Sequence, residues 1–368
     1  MTKRDPLNTN RNGNGRSHAS IQDVARDAEV SIATVSRVLN TPHLVSADTS
    51  ERVRMVIARL GYAPNPFAKG LITKASRVLG FALPDIHGEF YSELLRGADD
   101  KARELGYHLL VSAEARADSG TGVKAPSGRA LGFGFIDGLA VMITEPSAAI
   151  WREARGTRIP VVLMDLELDE PGVDCILADN EPGTREACEH LLLLTAPKGM
   201  CFVGGPEENF DTRKRAEVFA RVLGGHGHTV GGAQTVFGTY SAEWGEAWAR
   251  EQGPAGLKGR GVLAGNDEIA LGILQAAQAM GVRVPDDLRI VGFDDTRLAS
   301  LVRPRLSAVR VPLTEIGAAA IAALAKRIEN RDAPATVLRL PTPRGRHASP
   351  LDTALPHHER RRQPQHRR

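Results

Sequence analysis

Apolar positions along the chain follow two rhythms, and the change between them falls near residue 77. Residues 20–61 carry three short stretches with helical spacing. In the first, Ile21, Val24, Ala25 and Ala28 recur at i, i+3, i+4 and i+7, and Ser20 is placed to cap them. Ser31 suits the cap of a second stretch that turns Val35, Val38 and Leu39 inward. Ser46 does the same for a third, where Val53, Val56, Ile57 and Leu60 share a face. Gly61 should end that helix, because it tolerates a positive φ.

From about residue 77 short apolar runs alternate with amphipathic stretches. The runs are VLGFALP, YHLLVSA, GLAVMI, PVVLMD, DCILAD, MCFVGG, GVLAGND and RIVGFDD. FYSELLRGADDKARELG, EPGTREACEHLLLL and DEIALGILQAAQAMG between them read as helices. Fully apolar strands separated by helices imply parallel sheets covered on both faces. The stretch 77–340 is long for one such sheet, which points to two α/β subdomains. Several runs end in polar residues, Asp85, Asp165, Asn266–Asp267 and Asp294–Asp295, at the carboxyl edge where open α/β sheets bind ligands. Asp267 itself reads as a helix cap.

The expected organisation is therefore an extension without periodicity at 1–17, an all-α helix-turn-helix domain at 18–63 and a Pro-rich hinge at 64–76. An α/β core of two parallel-sheet subdomains follows at 77–350, and a basic tail at 351–368. The extension and the tail are expected to be disordered.

Charge sharpens this division. Residues 1–74 hold 11 Lys and Arg against 6 Asp and Glu, and residues 339–368 hold 8 against 2, so the middle is acidic although the whole chain is +3. A polyanion would bind at the basic head, where phosphate contacts release counterions. No apolar run is long enough for a membrane span, and the amino terminus lacks a secretory pattern, so a cytoplasmic protein is expected. Cys175, Cys188 and Cys201 form no CxxC pair and read as small buried residues in a reducing compartment.

A helix, a tight turn and a second helix over 21–40 has the geometry that seats a helix in the major groove. The second helix turns Ile32, Ala33, Thr34, Ser36 and Arg37 outward, preceded by Ser31 and closed by Asn40. Arg37 suits bidentate pairing with a guanine edge, while Thr34, Ser36 and Asn40 suit phosphate or base-edge contacts. The same pattern also fits a plain three-helix bundle with no DNA role.

SIQDVARDAEVSIATVSRVLN, followed by LVSADTSERV and LGYAPN, resembles the head of the lactose-repressor (LacI) family over about 45 contiguous residues. One departure is Glu29 in the turn, where the family commonly has glycine; a positive φ there would cost a non-glycine residue about 1 kcal/mol or more. The segment APNPFAKGL, 63–71, resembles the family hinge. The resemblance implies that Asn65, Ala68, Lys69 and Leu71 meet DNA, with Leu71 as an apolar wedge in the minor groove.

The likeness continues through most of 77–340 and implies a periplasmic-binding-protein-like core with an effector between its subdomains. Matched motif by motif, it puts Phe90, Tyr91, Asp165, Arg215, Tyr240, Asn266 and Asp294 around that effector. An arginine, an asparagine, aspartates and flat aromatics suit a sugar or polyol, whose vicinal hydroxyls need both donors and acceptors. Departures lie at 88–90 (GEF), 118–135 (Gly-rich) and 194–200, and Val311 suggests a less polar corner of the cleft. A nucleobase or a protein co-regulator in place of a sugar stays open.

Catalytic signatures are absent: no GxxxxGK[ST], HExxH, GxSxG or Cys/His metal spacing occurs, and His357, His358 and His366 sit in the basic tail. The expectation is a non-enzyme without cofactor or metal, with a fused sugar-processing enzyme as the remote alternative. It would be a homodimeric repressor reading a near-palindromic operator under the control of a small molecule.

Overall fold

The structure, a computed structural model, describes residues 19–62, 75–113, 135–143 and 149–343. The 1–17 extension, the hinge residues Asn65, Ala68, Lys69 and Leu71, the Gly-rich 118–134 and the 351–368 tail lie outside the described residues. Contacts divide the chain after Ser76 into two compact units.

The first unit is a three-helix cluster: α1 (Ile21–Asp27), α2 (Ile32–Asn40) and α3 (Ala47–Leu60). Each begins at the expected serine. Ser20 and Asp23 form a reciprocal capping box, Ser31 Oγ accepts from the Thr34 amide at 3.1 Å, and Ser46 Oγ accepts from the Thr49 amide at 3.4 Å. Gly61 closes α3 at φ +62°, and Glu29 takes φ +52° in the turn between α1 and α2. Val24, Ala25, Ala28, Val35, Val38, Val53 and Val56 form the buried centre, so the helical spacing read from the sequence is the packing pattern.

The second unit holds two sheets, each wholly parallel among its described strands. One has the order β11-β5-β4-β3-β1-β2 and the other β10-β9-β8-β6-β7. The strands are β1 (Val78–Leu83), β2 (His108–Ala113), β3 (Gly138–Met142), β4 (Val161–Met164), β5 (Asp174–Asp179), β6 (Met200–Gly204), β7 (Thr235–Phe237), β8 (Arg260–Ala264), β9 (Leu288–Asp294), β10 (Ser307–Arg310) and β11 (Val337–Pro341). All eight apolar runs are strands. The three that were not expected, β7, β10 and β11, are short or lie at a sheet edge, and β11 mixes Arg339 and Pro341 into an exposed strand. Edge strand β2 is largely exposed, in contrast to the expected burial on both faces. All three cysteines are buried and free.

The described helices around the sheets are α4 (Gly88–Glu104), α5 (Ala149–Arg155), α6 (Asn180–Leu192), α7 (Phe210–Gly225), α8 (Ala242–Leu257), α9 (Asp267–Ala279), α10 (Arg297–Leu301) and α11 (Leu313–Glu329). Gly253, at φ +63° before Pro254, kinks α8. The subdomains are not consecutive in sequence. The first is built from 77–179 and completed by α11 and β11, which return after the second subdomain is finished. A buried ion pair holds the returning segment: Arg327 donates to both Asp174 carboxylate oxygens at 3.0 and 2.8 Å, and Thr336 adds two further bonds to Asp174. Burial opposes ionisation of Asp174, but the Arg327 and Thr336 bonds outweigh it and hold the carboxyl below its usual range.

Among the described residues the chain crosses between subdomains at 179–180 and 310–313, and the segment 341–343 at the end of β11 runs beside both. They lie side by side: Thr342 Oγ1 donates to the Asp179 carbonyl at 2.6 Å, and the Arg310 amide to the Pro343 carbonyl at 2.9 Å. Gly183 sits among them, and a Cβ there would come 2.4 Å from the Thr342 carbonyl oxygen.

Helices α4 and α11 approach closely through Gly97 and Gly317, where added Cβ atoms would lie 1.9 Å from the Thr314 carbonyl oxygen and 2.0 Å from that of Leu94. Both obstacles are backbone, so the helices must part to admit a methyl group. A Gly97→Ala substitution is expected to destabilise the second unit by about 1–3 kcal/mol, in the range of overpacked cores. Urea unfolding of the variant and parent checks this; an unchanged midpoint would mean the helices separate freely.

Candidate functional site

In the first unit, α2 presents Ser31, Ile32, Ala33, Arg37 and Asn40 to solvent, with Thr34 and Ser36 half-buried. Most of the polar groups have local partners. Ser31 Oγ and Thr34 Oγ1 lie 2.9 Å apart, and Asn40 Nδ2 donates to the Ser36 carbonyl at 2.8 Å. Arg37 is different, its guanidinium making no hydrogen bond or ion pair among the described residues. Arg26 and Arg59, by contrast, are tied to Asp23 and Asp27. Its five donors remain available to an external acceptor. Ile32, 46% exposed at the start of the same helix, offers an apolar contact of the kind a thymine methyl accepts.

In the second unit, a cavity of about 860 Å³ lies at the carboxyl edges of both sheets. All seven residues expected at an effector line it: Phe90, Tyr91, Asp165, Arg215, Tyr240, Asn266 and Asp294. Phe90 and Tyr91 stand in the first turn of α4, edge to face with ring centres 5.1 Å apart. Asp165 follows β4 in the first subdomain, and Asp294 ends β9 in the second. Both adopt positive φ, +63° and +101°, a conformation costly for residues with a Cβ. Neither carboxylate has a hydrogen-bond partner among the described residues.

Arg215, on α7, is only 3% exposed. Its Nε donates to Asn180 Oδ1 at 2.8 Å, one Nη to the Gly265 carbonyl at 2.6 Å and the other to Asp211 Oδ2 at 3.2 Å. The guanidinium carbon lies 3.8 Å from the Phe293 ring centre. Tyr240 packs its ring on Gly205, where a Cβ would be 2.5 Å away, and its hydroxyl is fixed by Thr212 Oγ1 at 2.6 Å and Asn209 Oδ1 at 3.1 Å. Asn266 lines the cavity and also caps α9, its Oδ1 accepting from the Ile269 amide at 2.9 Å. The cap expected of Asp267 is therefore made one residue earlier. Asp267 instead accepts from the Thr296 amide and hydroxyl at 2.7 and 2.8 Å, bracing the strained Asp294–Asp295 turn from behind. Val311 is also corrected: it is buried in the core, not placed on the cavity wall.

Electrostatics follow from this crowding. Burial pushes Asp294 up to about 7, with Arg215 pulling against it and Asp211 and Glu268 adding to the rise. Burial and then the Asp211 charge push Asp165 well above the usual carboxylate range, again against Arg215. Burial likewise raises the Tyr91 and Tyr240 hydroxyls, so both stay neutral.

The sequence reading left out Asn209, Asp211, Glu243, Glu268 and His87, which also line the cavity. Asp211 was accessible, standing at i−4 from Arg215 on one helix face. Glu268 follows a recognised strand end. A smaller cavity of about 390 Å³, at the start of β4 near Trp151 and Arg158, contains none of the expected residues.

Among the described residues no helix is long and apolar enough to cross a membrane. Nor do His, Cys, Asp and Glu cluster there in a way that would hold a metal ion.

Residues 20–65 match the family described as bacterial regulatory proteins, lacI family, and residues 192–347 match the periplasmic binding protein-like domain. Catabolite control protein A of Priestia megaterium is 33% identical over 325 residues, covering 88% of this chain and 97% of its own length. The ribose operon repressor of Halalkalibacterium halodurans is 32% identical, covering 88% and 94%. A solved lac repressor dimer bound to operator and the anti-inducer ONPF has a TM-score of 0.75 and 27% identity, covering 89% of this chain and 97% of that one.

An aspartate with a folded pKa near 7 against an unfolded value of about 3.9 holds a proton between those values that the unfolded chain has released. Its contribution is present at low pH and lost as pH rises through about 7. Asparagine tolerates positive φ and carries no charge. Asp294→Asn is therefore expected to stabilise the ligand-free protein at pH 7.5, on the order of 2 kcal/mol, with the gain fading towards pH 5. Thermal unfolding at both pH values reads this; an equal shift at each pH would discount the buried charge.

Proposed function

This chain belongs to the lacI family of bacterial regulatory proteins, and from that premise we propose a homodimeric, cytoplasmic repressor whose hold on operator DNA is set by a polyhydroxyl molecule in the cleft. The observation that carries the effector half is the pair Asp165 and Asp294, unbonded carboxylates from opposite subdomains lining one cavity. A molecule that donates hydroxyls to both would favour one angle between the subdomains. The crossing segments at 179–180 and 310–313, with 341–343 beside them, allow that angle to change without breaking either sheet. A ligand acts only through its differential affinity for the two states. Operator DNA must then alter ligand affinity by the same factor.

The solved relative bound to operator and an anti-inducer, and the relative named as a ribose operon repressor, support this reading. It works by binding, without turnover. On the DNA side, Arg37 reads a guanine edge, and Ser31, Ile32, Ala33, Thr34, Ser36 and Asn40 complete the surface of α2 that enters the major groove. Asn65, Ala68 and Lys69 of the hinge meet the DNA, and Leu71 wedges into the minor groove at the operator centre. Two heads from a two-fold dimer match a near-palindromic site.

Arg37→Ala is expected to lower the preference for operator over random DNA by about 1–3 kcal/mol, read as the ratio of the two affinities at one salt concentration. An unchanged ratio removes Arg37 as a base reader. Leu71→Ala should weaken operator binding while the ligand affinity of the DNA-free protein stays as it was. Parallel titrations with DNA and with ligand separate the two effects, and undiminished operator affinity counts against the wedge.

A further inference from the structure

Charge in the cleft narrows the chemistry of its occupant. Six carboxylates line the cavity, from Asp85, Asp165, Asp211, Glu243, Glu268 and Asp294, against one guanidinium and one imidazole. Both basic groups are already engaged. His87 Nδ1 lies 2.6 Å from Asp85 Oδ1, and Arg215 is taken up by Asn180, Gly265, Asp211 and the Phe293 ring. Asp165, Glu268 and Asp294 have no hydrogen-bond partner among the described residues, and Asp294 is 94% buried, being only 6% exposed.

Resting on the reading that this cleft holds the effector, we propose that the effector is cationic: an amine-bearing polyol, of the amino-sugar class, whose ammonium is neutralised by Asp165, Glu268 and Asp294. Its ring would lie against Phe90 and Tyr91, whose faces also favour a cation. An anionic ligand, such as a phosphorylated sugar, finds only engaged cations and several repelling carboxylates. A neutral polyol supplies hydroxyl donors but no charge, so the carboxyl groups must take up protons as the subdomains close and water leaves. An ammonium supplies three donors and the missing positive charge at once.

Glu268 strengthens the case because it stands outside the Asp165–Arg215–Asp294 set. It is half-buried on α9, and burial, then Glu243 and Asp85, raise its pKa above the usual range. Its Oε1 lies 2.9 Å from where a Cβ on Gly88 would be, so it reaches the start of α4, the helix that carries the two aromatic rings.

The test is calorimetry of the full-length protein at fixed pH and salt with matched sets. Each set comprises a neutral hexose, its 2-amino-2-deoxy form, the N-acetylated amine that keeps the bulk but not the charge, and the 6-phosphate. The glucose, galactose and mannose series serve as probes. The amine is expected to bind at least tenfold more tightly than its neutral and N-acetyl counterparts, and the phosphate not at all. Glu268→Gln should reduce that preference severalfold while leaving operator affinity unchanged in the absence of ligand. A neutral sugar binding as tightly as its amine, or a phosphate binding at all, overturns the cationic effector and leaves the cleft reading standing. No binding by any probe, with operator binding intact, overturns both.

Discussion

The Arg215 guanidinium joins four separate stretches of chain. It reaches Asn180 where the first subdomain hands over to the second, Asp211 on its own helix, the Gly265 carbonyl at the end of β8, and the ring of Phe293 within β9. Burying such a group is unfavourable unless its planar fork is filled, and here the fork and one face are both occupied. The floor of the cleft is consequently a fixed structure before any ligand arrives. Asp211 is drawn into the same network through Asn180 Nδ2 at 2.8 Å, which leaves the remaining carboxylates to define how the cavity appears to an incoming molecule.

Around that floor the cleft is built from both subdomains. Glu89 on α4 accepts from the Leu298 amide at the start of α10 with an N···O distance of 2.9 Å, a contact that spans the two halves away from the crossing segments. Asp165 and Asp294 face the space between, each on strained backbone held in place by its surroundings. Asp267 and Thr296 brace the second of these turns, and strain of this kind persists only where neighbours over-determine it. The two subdomains are joined by the crossing segments at 179–180 and 310–313, with 341–343 beside them, and one buried apolar cluster takes residues from both.

Much of this was legible in the sequence. The three serine caps, Gly61 and eight of the eleven described strands follow from local rules, since each depends on residues close together in the chain, and the positive φ at Glu29 came with the family resemblance. The seven cleft residues came from motif resemblance, which carries positions but not partners. What stayed hidden depends on contacts distant in sequence. β11 is exposed and mixed in composition, and only its pairing with β5 makes it a strand. The role of Asp267 required Thr296, 29 residues away. Val311 was placed at the cleft by the family resemblance, whereas the fold packs it into the core. The acidity of the cavity was equally hidden, because Glu243 and Glu268 come from separate helices that only the fold brings to one space.

The interleaved path also sets an order on assembly. During synthesis the second subdomain has its strands in hand once residue 310 has emerged, whereas the first is still without the strand beside β5 and the helix that seats Gly317 on Leu94. Its sheet edge and the socket for Arg327 stay open until the last part of the described chain arrives, and Asp174 meanwhile has no cation to face. A nascent chain therefore carries a finished later half beside an unfinished earlier one. Premature termination between β10 and β11 would leave the amino-terminal half, not the carboxyl-terminal one, exposed to proteases and chaperones.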